Sequence, residues 1–75
     1  MTERRVTVDH ATDAAYFPVA PTIGEGESVE NVLIERAQGT IVLDFDAEGR
    51  LLGVEVLGAA ALLTTETIAG ADVSA

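Results

Sequence analysis

The residues with the most capacity for chemistry lie between Asp44 and Glu55. Asp44, Asp46, Glu48, Gly49 and Glu55 fall at positions one, three, five, six and twelve of a twelve-residue stretch, the spacing of calcium ligands and glycine in an EF-hand loop. Hard cations take clustered carboxylate oxygens, so Asp44, Asp46 and Glu48 are the candidate metal ligands. The flanks oppose this reading. An EF-hand needs a helix on each side, and here both flanks alternate with period two, which marks strands. If Asp46–Gly49 closes a hairpin between them, Glu55 is level with Thr40, four residues from Asp44. At about 3.3 Å per residue their backbones are then roughly 13 Å apart, too far for one ion. The expected role is an acidic turn whose carboxylates accept backbone N–H bonds and whose Gly49 supplies a positive φ.

Other chemical candidates are thinner. Asp9, His10 and Asp13 could form a metal or acid–base site, but a single histidine with no second nitrogen ligand makes a poor one. Their spacing suits a turn bracketed by two acids that bond the local backbone. Ser28 and the threonines lie in no G-x-S-x-G elbow, and His10 is the only histidine to serve them. Gly24-Glu25-Gly26 has the glycines of a phosphate loop but no lysine, and its glutamates repel phosphate. No catalytic constellation emerges and no cofactor is implied.

Composition narrows the classes further. The 75 residues suffice for one domain, and such a domain buries only about 60% of its unfolded surface. There is no cysteine to add a disulfide. Apolar residues make up 48%, but Tyr16, Phe17 and Phe45 are the only aromatics, so the core is aliphatic. Thirteen acids against four arginines give a net charge of −9, which repels nucleic acid and anionic membranes. No run approaches the roughly 18 apolar residues of a membrane span. Arg4 and Arg5 are followed by no apolar stretch of signal-peptide length, so cytoplasmic residence is the default expectation.

The elements that must position these residues are mainly strands. Arg4–Val8 and Ala14–Ala20 read as two short strands around the Asp9–Asp13 turn. Pro18 lacks an N–H and predicts that the second strand lies at a sheet edge or ends early. Pro21 to Ser28 is a loop. From Val29 to Leu57, three alternating runs are separated by Gln38-Gly39 and Asp46–Gly49. If Gln38-Gly39 closes a tight hairpin with a positive φ, Leu43 lies opposite Ile34 and Phe45 opposite Val32. If Asp46–Gly49 is the second loop, Leu43 lies opposite Leu52 and Ile41 opposite Val54. Opposite residues share a face. Both hairpins therefore put Val32, Ile34, Ile41, Leu43, Phe45, Leu52 and Val54 on one apolar side, the expected core of a three-stranded meander.

The other side carries Leu33, Val42, Leu51 and Leu57 among Glu35, Asp44, Gly53 and Glu55. It is too apolar for a solvated face, so something should cover it: the Gly58–Leu63 segment, the first hairpin or a second copy. Ala59–Leu63 predicts a short helical turn. Residues 64–75 read as a flexible tail beyond an ordered core of about residues 4–63. The fold class is thus mainly β (a β-rich α+β), an antiparallel meander of about five strands with a short C-terminal helical turn.

Asp13-Ala14-Ala15-Tyr16-Phe17, followed by Ile41-Val42-Leu43-Asp44-Phe45-Asp46-Ala47-Glu48-Gly49-Arg50 and Gly53-Val54-Glu55-Val56, resembles the family called domain of unknown function 2283. Its pattern is a D-A-x-Y strand, a D-x-D-x-x-G hairpin and a G-hydrophobic-E-hydrophobic strand. The resemblance spans roughly Arg5 to Ala60 and implies a small, mainly β fold. The family carries no established activity. Ala15 stands where the family usually has leucine, and Pro18 interrupts the second strand.

The function expected from all this is a non-catalytic interaction or self-associating module, with Leu33, Val42, Leu51 and Leu57 as its contact face and a second copy or another protein as its partner. The alternatives are an antitoxin-like acidic partner of a basic protein, and cation binding at Asp44–Glu48.

Overall fold

A computed structural model describes residues 5–73. Its strands are β1 (Thr7–Asp9), β2 (Ala14–Pro18), β3 (Glu30–Glu35), β4 (Thr40–Phe45), β5 (Leu51–Leu57) and β6 (Asp72–Val73), with α1 (Ala59–Leu62) and α2 (Thr65–Ala69) between the last two. They form one sheet in the order β3-β4-β5-β2-β1-β6. Every pairing is antiparallel except β1 with β6. The mainly β architecture read from the alternation is the one observed. Arg4, the expected start of the first strand, lies outside the described residues.

Both meander registers differ from expectation by two residues. Arg36 and Gly39 exchange backbone hydrogen bonds of 2.8 and 3.3 Å, so the first loop is Ala37-Gln38 and not Gln38-Gly39. Ile34 then faces Ile41, and Val32 faces Leu43. Between β4 and β5, Ile41 faces Val56, Leu43 faces Val54, and a bulge follows that sets Phe45 against Leu51. A two-residue slip keeps the parity, so the apolar side keeps its members on β3 and β4. Gly39 has no positive φ. Its reason is contact: a Cβ there would sit 2.0 Å from the Leu57 carbonyl oxygen.

The apolar side runs in rows across the sheet. One row is Ile34, Ile41, Val56, Ala15, Val8 and Val73. Exposure falls from 41% at Ile34 to 4% at Val56 and 2% at Ala15. Val8, Ala15, Val56 and Ala59 form the buried core, with Phe17, Leu62, Leu63, Ile68 and Ala71 packed on it. The helices thus cover the main apolar side over β5, β2 and β1. The sequence left open that Gly58–Leu63 covers the opposite, mixed side; it does not. The first hairpin extends the sheet in its plane and covers neither side. β2 is an interior strand, and Pro18 is accommodated because the strand ends there.

Within residues 64–73, read from the sequence as part of a flexible tail, lie α2 and β6. Thr64 caps α2 by accepting a hydrogen bond of 3.1 Å from the Thr67 N–H. Asp72 then donates its N–H to the Val6 carbonyl at 2.8 Å, and β6 joins the sheet. Residues 74 and 75 lie outside the described residues. Among the described residues, no helix is long and apolar enough to cross a membrane.

Candidate functional site

The acidic turn between β4 and β5 is built around Asp46, whose side chain is 6% exposed. Its Oδ1 accepts the backbone N–H groups of Glu48 and Arg50 at 3.0 and 2.9 Å, and its Oδ2 takes the Arg50 Nε–H at 3.0 Å. The Arg50 guanidinium also reaches Glu48 at 3.1 Å. The Arg50 N–H foremost, then the guanidinium and the Glu48 N–H, hold the Asp46 carboxyl below the usual carboxylate range. Gly49 has φ 79°, the conformation the turn demands. Three of the roughly four acceptor sites of the Asp46 carboxylate are thus taken up by its own turn, and the Arg50 guanidinium lies between Asp46 and Glu48, where a metal would draw on both.

Asp44 points elsewhere. On the mixed side, Asn31, Asp44, Gly53 and Pro18 form one row, and Leu33, Val42, Glu55, Tyr16 and Thr7 form the next. Asn31 Nδ2 donates to Asp44 Oδ1 at 2.5 Å. Tyr16 lies across Gly53 toward Asp44; a Cβ on Gly53 would fall 2.0 Å from the Tyr16 hydroxyl oxygen. Burial first, then the negative charge of Asp44 and of Glu55, raises the phenol pKa above its ordinary value. Glu55 is level with Val42, two residues from Asp44 rather than the four expected. That is about 7 Å along the strand, with Tyr16 lying near both carboxylates.

This set can hold four strands in register. A phenol kept protonated is a hydrogen-bond donor, and Asp44 is the carboxylate beside it. Among the described residues, no cluster of three His, Cys, Asp or Glu side chains could hold a metal ion.

The Asp9–Asp13 turn is put to structural use. Asp9 Oδ1 accepts the Ala11 N–H at 3.0 Å. Asp13 takes φ 55°, its carbonyl accepts from Gly58 and Ala59, both at 3.0 Å, and its Oδ1 accepts the Ala60 N–H at 2.9 Å. It thereby caps α1 from across the fold, rather than the local backbone as expected. His10 is exposed and joins neither contact. A cleft of about 310 Å³ beside Arg5, Glu66 and Asp72 is open to solvent. The Arg5–Asp72 ion pair, 3.0 Å long, lies in its wall.

The proposed contact face divides. Leu33 is 56% exposed and Leu57 39%, on the mixed side as expected. Val42, on that same side, is only 8% exposed within a single chain. Leu51, 36% exposed, is level with Phe45 because of the bulge, and so leaves the mixed side. Tyr16, Asn31 and Arg50 were not singled out from the sequence. Tyr16 is the one tyrosine of the chain and stands in the D-A-x-Y run, but its partners emerge only from the β2–β5 register.

Fold and site define a small one-sheet domain, half covered by two short helices, whose polar residues brace strands and turns. The chain belongs to the family described as Protein of unknown function (DUF2283), which matches residues 5–59. The match ends at the first residue of α1, so α2 and β6 lie beyond it. No curated protein and no solved structure matches the chain.

Proposed function

We propose that the protein is a non-catalytic, self-associating module whose contact surface is the β3 side of the sheet. The observation that carries this is the state of β3: all six of its residues are exposed. Val32, Leu33 and Ile34 are 40, 56 and 41% exposed, and Val29 just before them is 61%. Fully burying such a side chain is worth about 1.5–3 kcal/mol. A strand this apolar gains little from being wet on two faces and one edge. The network around Tyr16 and Asp44 supports the same reading, because it ties β3 to β2 through the intervening strands and keeps the open strand in register.

The test is sedimentation equilibrium from about 1 to 200 μM, a range that brackets the affinities of modest interfaces. Self-association gives a mass rising from 7.8 kDa toward twice that value. Ile34→Glu, a substitution at an exposed position, keeps the circular dichroism of the wild type and holds the mass at the monomer. A wild type that stays at monomer mass throughout refutes the proposal.

A further inference from the structure

The geometry points to one mode of association: β3 pairs antiparallel with β3 of a second copy, with Leu33 on the two-fold axis, so that two six-stranded sheets run on as one. This rests on the self-association proposed above and specifies its partner surface.

The argument starts from the backbone. Because Arg36 and Gly39 exchange both of their hydrogen bonds, Arg36 turns its N–H and C=O toward β4. Alternation then turns Ile34, Val32 and Glu30 the same way. It leaves the N–H and C=O groups of Asn31, Leu33 and Glu35 pointing outward along the edge. The edge contains no proline or glycine, and no bulge interrupts the β3–β4 register. Such an edge is a template for another strand. The opposite edge of the sheet is β6, which among the described residues spans Asp72 and Val73.

Symmetry limits the registers. A two-fold axis between antiparallel edge strands stands normal to the sheet, and each residue must meet one on its own face. A residue on the axis therefore meets itself. Three registers keep most of the strand paired, centred on Val32, Leu33 or Ile34. The Val32 centre sets Glu30 against Ile34 and Asn31 against Leu33. The Ile34 centre sets Val32 against Arg36 and Leu33 against Glu35. The Leu33 centre sets Leu33 against Leu33, Val32 against Ile34, Asn31 against Glu35 and Glu30 against Arg36. Only this register joins apolar to apolar, amide to carboxylate and acid to base, the pairings that stabilise neighbouring strands. It also uses the outward backbone groups of Asn31, Leu33 and Glu35 in both copies, whereas the other two centres each leave one of these three unpaired. Among the described residues Arg36 makes no ion pair within its own chain, so its guanidinium is available to Glu30 of the second copy.

The chain has no cysteine, so a single introduced cysteine reports only contacts between copies. At a hydrogen-bonded antiparallel pair the Cα atoms are about 5.5 Å apart, within the span a disulfide bridges. Leu33→Cys should cross-link under mild oxidation at least about tenfold faster than Asn31→Cys or Glu35→Cys, whose copies lie four residues out of register, roughly 13 Å apart. Mixing the Asn31→Cys and Glu35→Cys proteins should restore cross-linking, because those two positions face each other. Glu30→Arg should weaken association at low salt, and adding Arg36→Glu should restore it. A wild type that sediments as a monomer overturns both this pairing and the self-association itself. A wild-type dimer in which Leu33→Cys cross-links no faster than Asn31→Cys overturns the β3 register alone.

Discussion

Replacing Gly39 with alanine is the sharpest single perturbation the fold offers. The new Cβ would lie 2.0 Å from the Leu57 carbonyl oxygen, 3.0 Å from its carbon and 3.1 Å from Leu62 Cδ1. The first two obstacles are backbone and cannot rotate away. Ordinary contact begins at 3.4 Å, so the β3–β4 turn and the end of β5 must separate by more than 1 Å. That separation strains the Thr40–Leu57 end of the β4–β5 ladder and disturbs Leu62, which packs on the core. Overpacking of this kind costs about 1–3 kcal/mol where side chains can yield, and with backbone on one side we expect the upper end, about 3 kcal/mol. Gly49→Ala is the control. It meets no atom within 4 Å and suffers only from its φ of 79°, a cost of about 1–2 kcal/mol. Urea melts of both variants at one low protein concentration give the comparison. If Gly39→Ala unfolds at the same midpoint as the wild type, or later than Gly49→Ala, the close approach does not restrain the fold.

Tyr16 is the only tyrosine and there is no tryptophan, so alkaline tyrosinate absorbance reads a single site. Its raised pKa means that its contribution to stability is complete below about pH 10 and is lost as pH rises through the higher folded value. Asp44→Asn should bring the midpoint down toward that of the urea-unfolded chain, and coincident folded and unfolded wild-type midpoints would contradict the Tyr16–Asp44 coupling. At the acid end the sign reverses. The lowered pKa of Asp46 contributes stability that is present above about pH 4 and lost as pH falls through the folded value. Asp46→Asn should flatten that acid limb in thermal melts, and parallel limbs for the two proteins would show that the carboxylate is not what holds the turn.

Alternation made the faces of β3, β4 and β5 legible, because a face depends only on parity. The partners were not, since a register depends on which residues turn. Gln38-Gly39 has the composition of a positive-φ turn, yet Gly39 is required by the nearness of Leu57 and the loop moves one residue back. The bulge after Asp44 was silent in the sequence and carried Leu51 to the other side. Where the helices dock was also hidden: α1 is alanine-rich with no marked stripe, and its position is set by Asp13, 47 residues from the Ala60 N–H it receives. β6 was missed because its hold on the sheet is backbone hydrogen bonding, which composition does not reveal. In the site, the Asp46 turn was readable from its own residues. The Tyr16–Asp44–Asn31 set was not, because it joins strands that meet only after β2 docks.

The strand order sets an order in time. β3, β4 and β5 follow one another through tight turns, and their contacts form early, since closing a short loop costs little entropy. β2 must instead travel past the whole meander to pair with β5, and β6 must return to β1 from the far end of the chain. Until β2 arrives, the nascent meander has two unpaired edges, and Val54 and Val56 line the second. An unpaired β5 edge is a template for a strand of another chain, so refolding at rising protein concentration should favour mispairing over the native sheet.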